Sequence, residues 1–368
     1  MNPFLISGYK SPEYFCNREE ETKKLIDAIS NSRNVTLVSE RRLGKTALLR
    51  HVENQVKSDR VFLYVDLYPT LDLNDLVTLL SDIILRGLEP FSEKIIRKVT
   101  RFFSSLRPRF SFDPQTGAPN LELTINNASE AGKSVSLLFE YIRQSGGKVI
   151  VAFDEFQQIL SYPEKNIEAL LRSEIQKSPD SDFIFCGSQT HLLLLMFNEY
   201  SRPFYQSTEI LSLGNIGKKD YSEFIKNQFQ KNNRSIDLNI AEYIYQINNG
   251  ITYYVQYMCN KLFSQIENEI TKDLADWTLT EILKENEIIY YNYRELVTSL
   301  QFKLLKAVAK ECFVDKPLSN SFISKYNLGS TSSVKTAIDT LVKKGLLTNS
   351  HGLRVTDWYF SLWLANQL

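Results

Sequence analysis

Chemistry in this sequence concentrates at Gly44-Lys45-Thr46 and at Asp154-Glu155. The first set closes the run Ser39-Glu40-Arg41-Arg42-Leu43-Gly44-Lys45-Thr46. That run follows the phosphate-loop pattern G-x-x-x-x-G-K-[ST], except that Ser39 replaces the first glycine. A loop of this kind between a strand and a helix is an anion site. Backbone N–H groups of the loop and of the first helical turn, through Ala47, converge on one concavity. Lys45 is expected to reach the β- and γ-phosphates of a nucleotide, and Thr46 to ligate Mg2+ through its hydroxyl. Gly44 lets the backbone approach without a side chain in the way. Asp154-Glu155 ends an apolar run and is the second half of the same signature. Asp154 would hold the Mg2+ shell, usually through water, and Glu155 would polarise the water that attacks the γ-phosphate. An acidic pair also opens helices, so the reading rests on both motifs occurring together.

These groups need a sheet to hold them. Apolar, β-branched runs at 34–38, 61–67, 148–153, 182–186 and 209–213 have strand length, and helical periodicity lies between them at 47–53, 76–85 and 129–144. The alternation predicts an α/β domain. It breaks between about 97 and 127. There, Arg109–Phe112 and Asn120–Thr124 flank Asp113-Pro114-Gln115-Thr116-Gly117-Ala118-Pro119, which predicts an inserted β-hairpin at about 105–127. Such an arm could hold a protein partner. Ser188, at the tip of the run that starts at Asp182, either contacts the γ-phosphate or attacking water, or caps the next helix. Arg202 is either a γ-phosphate-sensing cation or one side of a salt bridge. Upstream, Asn17 is expected to cap a helix through Leu25, Ile26 and Ile29, with Phe15 and Arg18 beside the nucleotide base.

At 368 residues, 43% hydrophobic and 23% charged, the chain has the make-up of a globular protein of two or three domains. Lys plus Arg equals Asp plus Glu at 43 each, which argues against nucleic-acid coating of the whole chain and leaves room for a local basic patch. There is no secretory signal pattern and no apolar run of membrane-spanning length. Cys16, Cys186, Cys259 and Cys312 are far apart, as in a cytoplasmic protein with reduced thiols. His51, His191 and His351 are too scattered for a zinc site. From Asp220 the pattern turns helical, broken by Asn249-Gly250 and continuing to about Arg294. From Phe302, three helical stretches and a hairpin over Gly345–Val355 predict a winged helix-turn-helix. Its third helix, capped by Ser330 or Thr331, would present Ser332, Ser333, Lys335, Thr336 and Lys343 to DNA. Winged helices also serve as protein contacts, and the residues leave both open. The patterns divide the chain at 1–215, 216–295 and 296–368.

Arg41-Arg42-Leu43-Gly44-Lys45-Thr46 and Phe153-Asp154-Glu155-Phe156 resemble the motifs of archaeal-type ATPases of the STAND class, which are AAA+-like P-loop NTPases. Weaker marks are Phe15-Cys16-Asn17-Arg18-Glu19, Gly187-Ser188, Pro203-Phe204-Tyr205, Gly250-Ile251-Thr252-Tyr253-Tyr254, Asp357-Trp358 and Trp363, so the resemblance spans nearly the whole chain. It implies a parallel ASCE-type sheet of order 5-1-4-3-2, a helical lid and a C-terminal winged helix. It also implies adenine as the base and a switch between ATP and ADP states. Gln206-Ser207 stand where members often have Gly-Arg, and Thr252 where the lid motif often has proline. With Ser39, these departures point to binding with slow turnover. Three functions follow: a slowly hydrolysing ATP switch, an ATP-gated DNA regulator or loader, and a nucleotide-stabilised scaffold. None of them dictates an oligomeric state.

Overall fold

The apolar runs become five parallel strands in the computed structural model, which describes residues 1–88, 100–104, 109–112, 119–122, 128–349 and 352–367. The strands are β1 (Val35–Ser39), β2 (Val61–Asp66), β3 (Val149–Asp154), β4 (Ser181–Gly187) and β5 (Glu209–Leu213). They lie in the order β2-β3-β4-β1-β5, which is the expected 5-1-4-3-2 read from the opposite edge. Strands β1, β3 and β4 are buried at every residue, as central strands covered on both faces must be. The edge strands β2 and β5 are buried only in part. Helices α1 (Glu19–Ser30), α2 (Lys45–Val56), α3 (Leu73–Leu88), α4 (Ala128–Gln144), α5 (Ile167–Gln176) and α6 (Thr190–Asn198) accompany the sheet. The register pairs Asp66 with Asp154 and Val38 with Gly187. The P-loop, the acidic pair and the tip of β4 therefore leave neighbouring strands at one edge, the carboxyl ends, where open α/β sheets bind ligands.

Beneath that edge sits an aromatic cluster. Phe156 packs on Phe185 (4.7 Å between centroids), Phe204 (5.4 Å) and Phe153 (5.7 Å), and all four rings are at most 1% exposed. Each such side chain removes 150–250 Å2 or so of surface from water, so the backbone carrying Asp154 and Glu155 is anchored from below. The expected hairpin is present: Arg109–Phe112 pairs antiparallel with Pro119–Glu122. Its turn at 113–118 lies outside the described residues.

The chain divides into two compact units, Ser7–Asn215 and Met1–Ile6 with Ile216–Leu368. The first six residues thus depart from the expected 1–215 grouping. Phe4 is 1% exposed and meets Phe229 at 4.9 Å, with Phe224 and Phe263 at its edges. The Asn260 amide donates to the Phe4 carbonyl and the Asn2 amide to the Asn260 carbonyl.

In this second unit, α7 (Lys218–Lys231), α8 (Leu238–Ile247), α9 (Thr252–Phe263), α10 (Lys272–Glu285) and α11 (Glu287–Glu295) precede the winged helix. The latter comprises α12 (Ser299–Glu311), α13 (Asn320–Lys325), α14 (Thr331–Lys343) and the antiparallel pair Leu347–Thr348 with Arg354–Val355. Local capping sets its helix starts. Thr298 and Gln301 form a capping box at α12, and the Ser319 and Ser330 hydroxyls accept first-turn N–H groups of α13 and α14. A last helix, α15 (Trp358–Ala365), had no amphipathic signal because its sequence is apolar nearly all round. Trp358 donates its indole N–H to the Ile247 carbonyl, and the Tyr359 hydroxyl lies 2.8 Å from Asn248 Oδ1, so α15 ties the winged helix to α8 and α9. No helix among the described residues is long and apolar enough to cross a membrane.

Candidate functional site

Strand β1 delivers Ser39, 4% exposed, to the mouth of the loop. The left-handed residues of the loop are Arg42 (φ 71°) and Gly44 (φ 89°), not Ser39. A serine therefore fits at the first-glycine position without strain. Gly44 forms the N-cap of α2 with no side-chain cap, which leaves the first-turn N–H groups of Lys45, Thr46 and Ala47 available to an anion. Lys45 is buried, while Thr46 and Arg41 are exposed.

Across from the loop, Asp154 is 5% exposed and fully engaged. Its Oδ2 accepts from the Thr46 hydroxyl (3.1 Å) and the Tyr64 hydroxyl (2.7 Å), and its Oδ1 from the Glu155 N–H (3.0 Å). Glu155 has a left-handed backbone (φ 51°) at the start of a short 3-10 turn, Phe156–Ser161. Its Oε2 accepts from Gln157 Nε2 (2.5 Å), the Ser188 hydroxyl (2.8 Å) and the Ser188 N–H (3.2 Å). Burial pushes this carboxyl up, but the Gln157 and Ser188 donors and the Lys45 charge outweigh it and hold it below the ordinary range. Asp66, aligned with Asp154 at the end of β2, moves the other way. Burial raises it first; the charges of Asp154 and Glu155 raise it further, and the Tyr68 N–H offsets part of this.

The donor set suits Mg2+ rather than a softer ion: a hydroxyl, a carboxylate and a second carboxylate destabilised by like charge, all oxygen. No group of three His, Cys, Asp or Glu among the described residues forms a self-sufficient metal cage.

The structure brings Lys45, Thr46, Asp154, Glu155 and Ser188 together. Ser188 is not the helix cap, since Gln189 occupies that position. Arg41 joins them, with its Nε 3.3 Å from the Ser188 hydroxyl. Arg202 does not join: it pairs with Glu168 at 2.7 Å and lies 3.8 Å from Glu199, which is the salt-bridge alternative. Arg18 also differs from expectation. It is 4% exposed, and its guanidinium donates to the Leu43 carbonyl (3.1 Å) and to Glu21 (2.8 Å). It braces the P-loop from within instead of facing a base. Phe15 stacks on His51 at 4.3 Å. Asn17 accepts the Glu19 N–H one residue ahead of the N-cap, Arg18. In the second unit, Ser332, Ser333, Lys335, Thr336 and Lys343 are all exposed on α14.

Two site residues escaped sequence reasoning. Tyr64 carried no signal beyond its place on β2. Gln157 carried none either, since it stands beside Gln158 in Phe156-Gln157-Gln158-Ile159-Leu160; it is 5% exposed, and its Oε1 has no hydrogen-bond partner among the described residues. Gly187 makes room for it, since a Cβ there would stand 1.9 Å from that oxygen.

Among known proteins, a family model described as the ATPase domain predominantly from Archaea matches residues 15–258. A model described as a probable winged helix domain matches residues 288–366. No curated protein matches. Of solved structures, the Walker-type ATPase Paby2304 of Pyrococcus abyssi is similar with a TM-score of 0.65 at 18% identity, over 98% of this chain and 99% of that one. The ORC2 protein of Aeropyrum pernix, solved as ADPNP-ADP complexes, is similar with a TM-score of 0.60 at 15% identity, over 99% and 96% of the two chains. At these identities the likeness is one of fold: a P-loop ATPase sheet followed by a winged helix. With the family model matching well over half of its length, the chain belongs to the ATPase domain family found predominantly in Archaea, and is a nucleotide-binding P-loop ATPase with a C-terminal winged helix.

Proposed function

We propose that the protein is a slowly hydrolysing ATP switch of the STAND class, whose nucleotide state is felt by a lid at 216–295 and the winged helix at 296–368. The observation that carries this reading is the joined pair Thr46–Asp154 beside an ionised Glu155. Lys45 and the first-turn N–H groups of α2 bind the phosphates, and the loop from Ser39 through Leu43 with Gly44 shapes the cradle. Thr46 and Asp154 would hold Mg2+, which would supply charge neutralisation to the phosphates. Glu155 orients the attacking water and takes its proton. Arg41, beside Ser188, replaces Arg202 as the cation on the γ-phosphate side. Slow turnover is supported by the three donors already on Glu155 Oε2, because a carboxylate held below its ordinary pKa is a weaker base.

The test is ATP retention and phosphate release by wild type, Lys45→Ala and Glu155→Gln. Wild type should bind Mg-ATP and release phosphate slowly, Lys45→Ala should lose binding, and Glu155→Gln should hold ATP without cleaving it. A wild type with no Mg-ATP affinity ends the proposal. Unchanged turnover in Glu155→Gln would leave only a structural nucleotide pocket.

A second reading, an ATP-gated DNA regulator, is favoured by the outward placement of Ser332, Ser333, Lys335, Thr336 and Lys343 on α14. Salt-sensitive duplex binding that disappears on reversing Lys335 or Lys343 would establish it. The scaffold reading rests on the hairpin, whose turn lies outside the described residues, and no observation favours it.

A further inference from the structure

Charge is unevenly spread along this chain. Residues 296–368 carry nine Lys and Arg against four Asp and Glu, although the whole sequence has 43 of each. Part of the excess forms one stripe. Lys303, Lys306 and Lys310 sit at i, i+3 and i+7 on α12, so successive ammonium groups rise along the helix by about 5 Å. With Arg294, Ser299, Phe302 and Tyr326 they line a groove of about 300 Å3 whose lining contains no carboxylate and no residue of α14. Lys303 and Lys310 are exposed and Lys306 is half-buried. Lys303 donates to the Asn327 carbonyl (2.8 Å), a neutral partner that leaves its charge in place, and the nearby Glu311 is held by Lys325 (2.5 Å) and the Tyr326 hydroxyl (2.7 Å).

The kind of partner follows from what the groove lacks. Protein interfaces draw their affinity from buried aromatic and arginine anchors and are depleted in lysine. Here both aromatic faces already carry the protein's own cations. Arg294 lies 4.7 Å above the Phe302 ring and Lys325 lies 5.3 Å from that of Tyr326, so each ring already carries a cation of the protein's own. A line of lysines with no carboxylate among its neighbours in the groove is what phosphate contacts need: point charges that displace counterions and read no bases.

We propose that the α12 groove binds the phosphate backbone of duplex nucleic acid without regard to base sequence, at a place separate from the outward face of α14. The proposal is independent of the ATPase reading, because it uses no residue of the nucleotide site.

The experiment is fluorescence anisotropy of two short labelled duplexes of unrelated sequence with the full chain, titrated over a range of salt. Wild type, Lys303→Gln/Lys306→Gln/Lys310→Gln, Lys310→Gln and Lys335→Gln/Lys343→Gln are compared. Wild type should bind both duplexes alike. The triple variant should bind at least about tenfold more weakly, with the log–log salt slope smaller by about 3; Lys310→Gln alone should lower that slope by about 1. The single variant, at an exposed position, keeps the result readable if the triple variant folds poorly. The proposal is overturned if wild type binds neither duplex, if the slope is unchanged in both groove variants, or if only the α14 variant loses binding. Binding to polyglutamate with none to DNA would overturn it in favour of an acidic protein.

Discussion

The nucleotide site and the winged helix place their charges in opposite surroundings. In the first, Arg18, Lys45 and Asp154 are at most 8% exposed; Asp154 alone accepts from Thr46, Tyr64 and the Glu155 N–H. In the second, Lys303, Lys310, Lys335 and Lys343 stand in solvent. A buried charge costs several kcal/mol unless its hydrogen bonds are met, so Asp154 and Arg18 are held by internal partners and can act through fixed dipoles. Surface lysines cost little to keep and act through a field that salt screens within about 10 Å. One region is therefore tuned by geometry and the other by ionic strength.

Substitutions should separate the two. The largest effect is expected from Glu155→Gln, which should lower kcat by about 10²- to 10⁴-fold while ATP binding is kept; single-turnover phosphate release measures it. Next comes Phe156→Ala, which empties the centre of the aromatic cluster under the acidic pair and should cost about 3–5 kcal/mol. Urea unfolding of the Ser7–Asn215 unit, followed by a local probe, reads that loss. Arg18→Met removes the brace on the Leu43 carbonyl and should cost about 2 kcal/mol, seen as a fall of roughly 4–8 °C in Tm for a unit of this size. An unchanged Tm would mean the P-loop holds its shape unaided.

Gln157→Leu tests the electrostatics. Wild-type Glu155 has a lowered pKa, so the contribution of its hydrogen bonds is present above the ordinary glutamate range and is lost only as pH falls through the lowered value. Without the Gln157 donor, burial regains ground, and the acid limb of the pH–kcat profile should move to higher pH. The smallest effect belongs to the other region. The Lys303→Gln/Lys306→Gln/Lys310→Gln variant should keep its stability within about 0.5 kcal/mol and its ATPase rate unaltered. A large loss of either would erase the contrast between the two regions.

This contrast also explains what the sequence discloses. Gly44-Lys45-Thr46 and Asp154-Glu155 were legible because phosphate and metal chemistry demand those residue types next to strand ends. The sheet order followed from the family resemblance, and the helix start at Ser330 from a capping residue. Arg18 was not legible in its actual role, and the salt bridge expected as one reading of Arg202 was legible only without its partner. The partners that define them, Leu43 and Glu168, lie 25 and 34 residues away, and no local pattern reports a long-range pairing. Gln157 was hidden for a different reason. Gln157 and Gln158 stand side by side, and only the fold reveals that the first is buried and faces Glu155. Helix α15 and Phe4 escaped because uniform hydrophobicity and a lone aromatic carry no period.

The position of Phe4 bears on synthesis. Its partners Phe224, Phe229 and Phe263 leave the ribosome up to about 260 residues later, roughly 13–50 s at usual elongation rates. The whole Ser7–Asn215 unit can fold in that interval, while the segment ahead of it has nothing to pack against. During translation the segment around Phe4 should therefore be open to proteases and chaperones until α9 emerges, sheltered only by helices made about 220 to 260 residues after it.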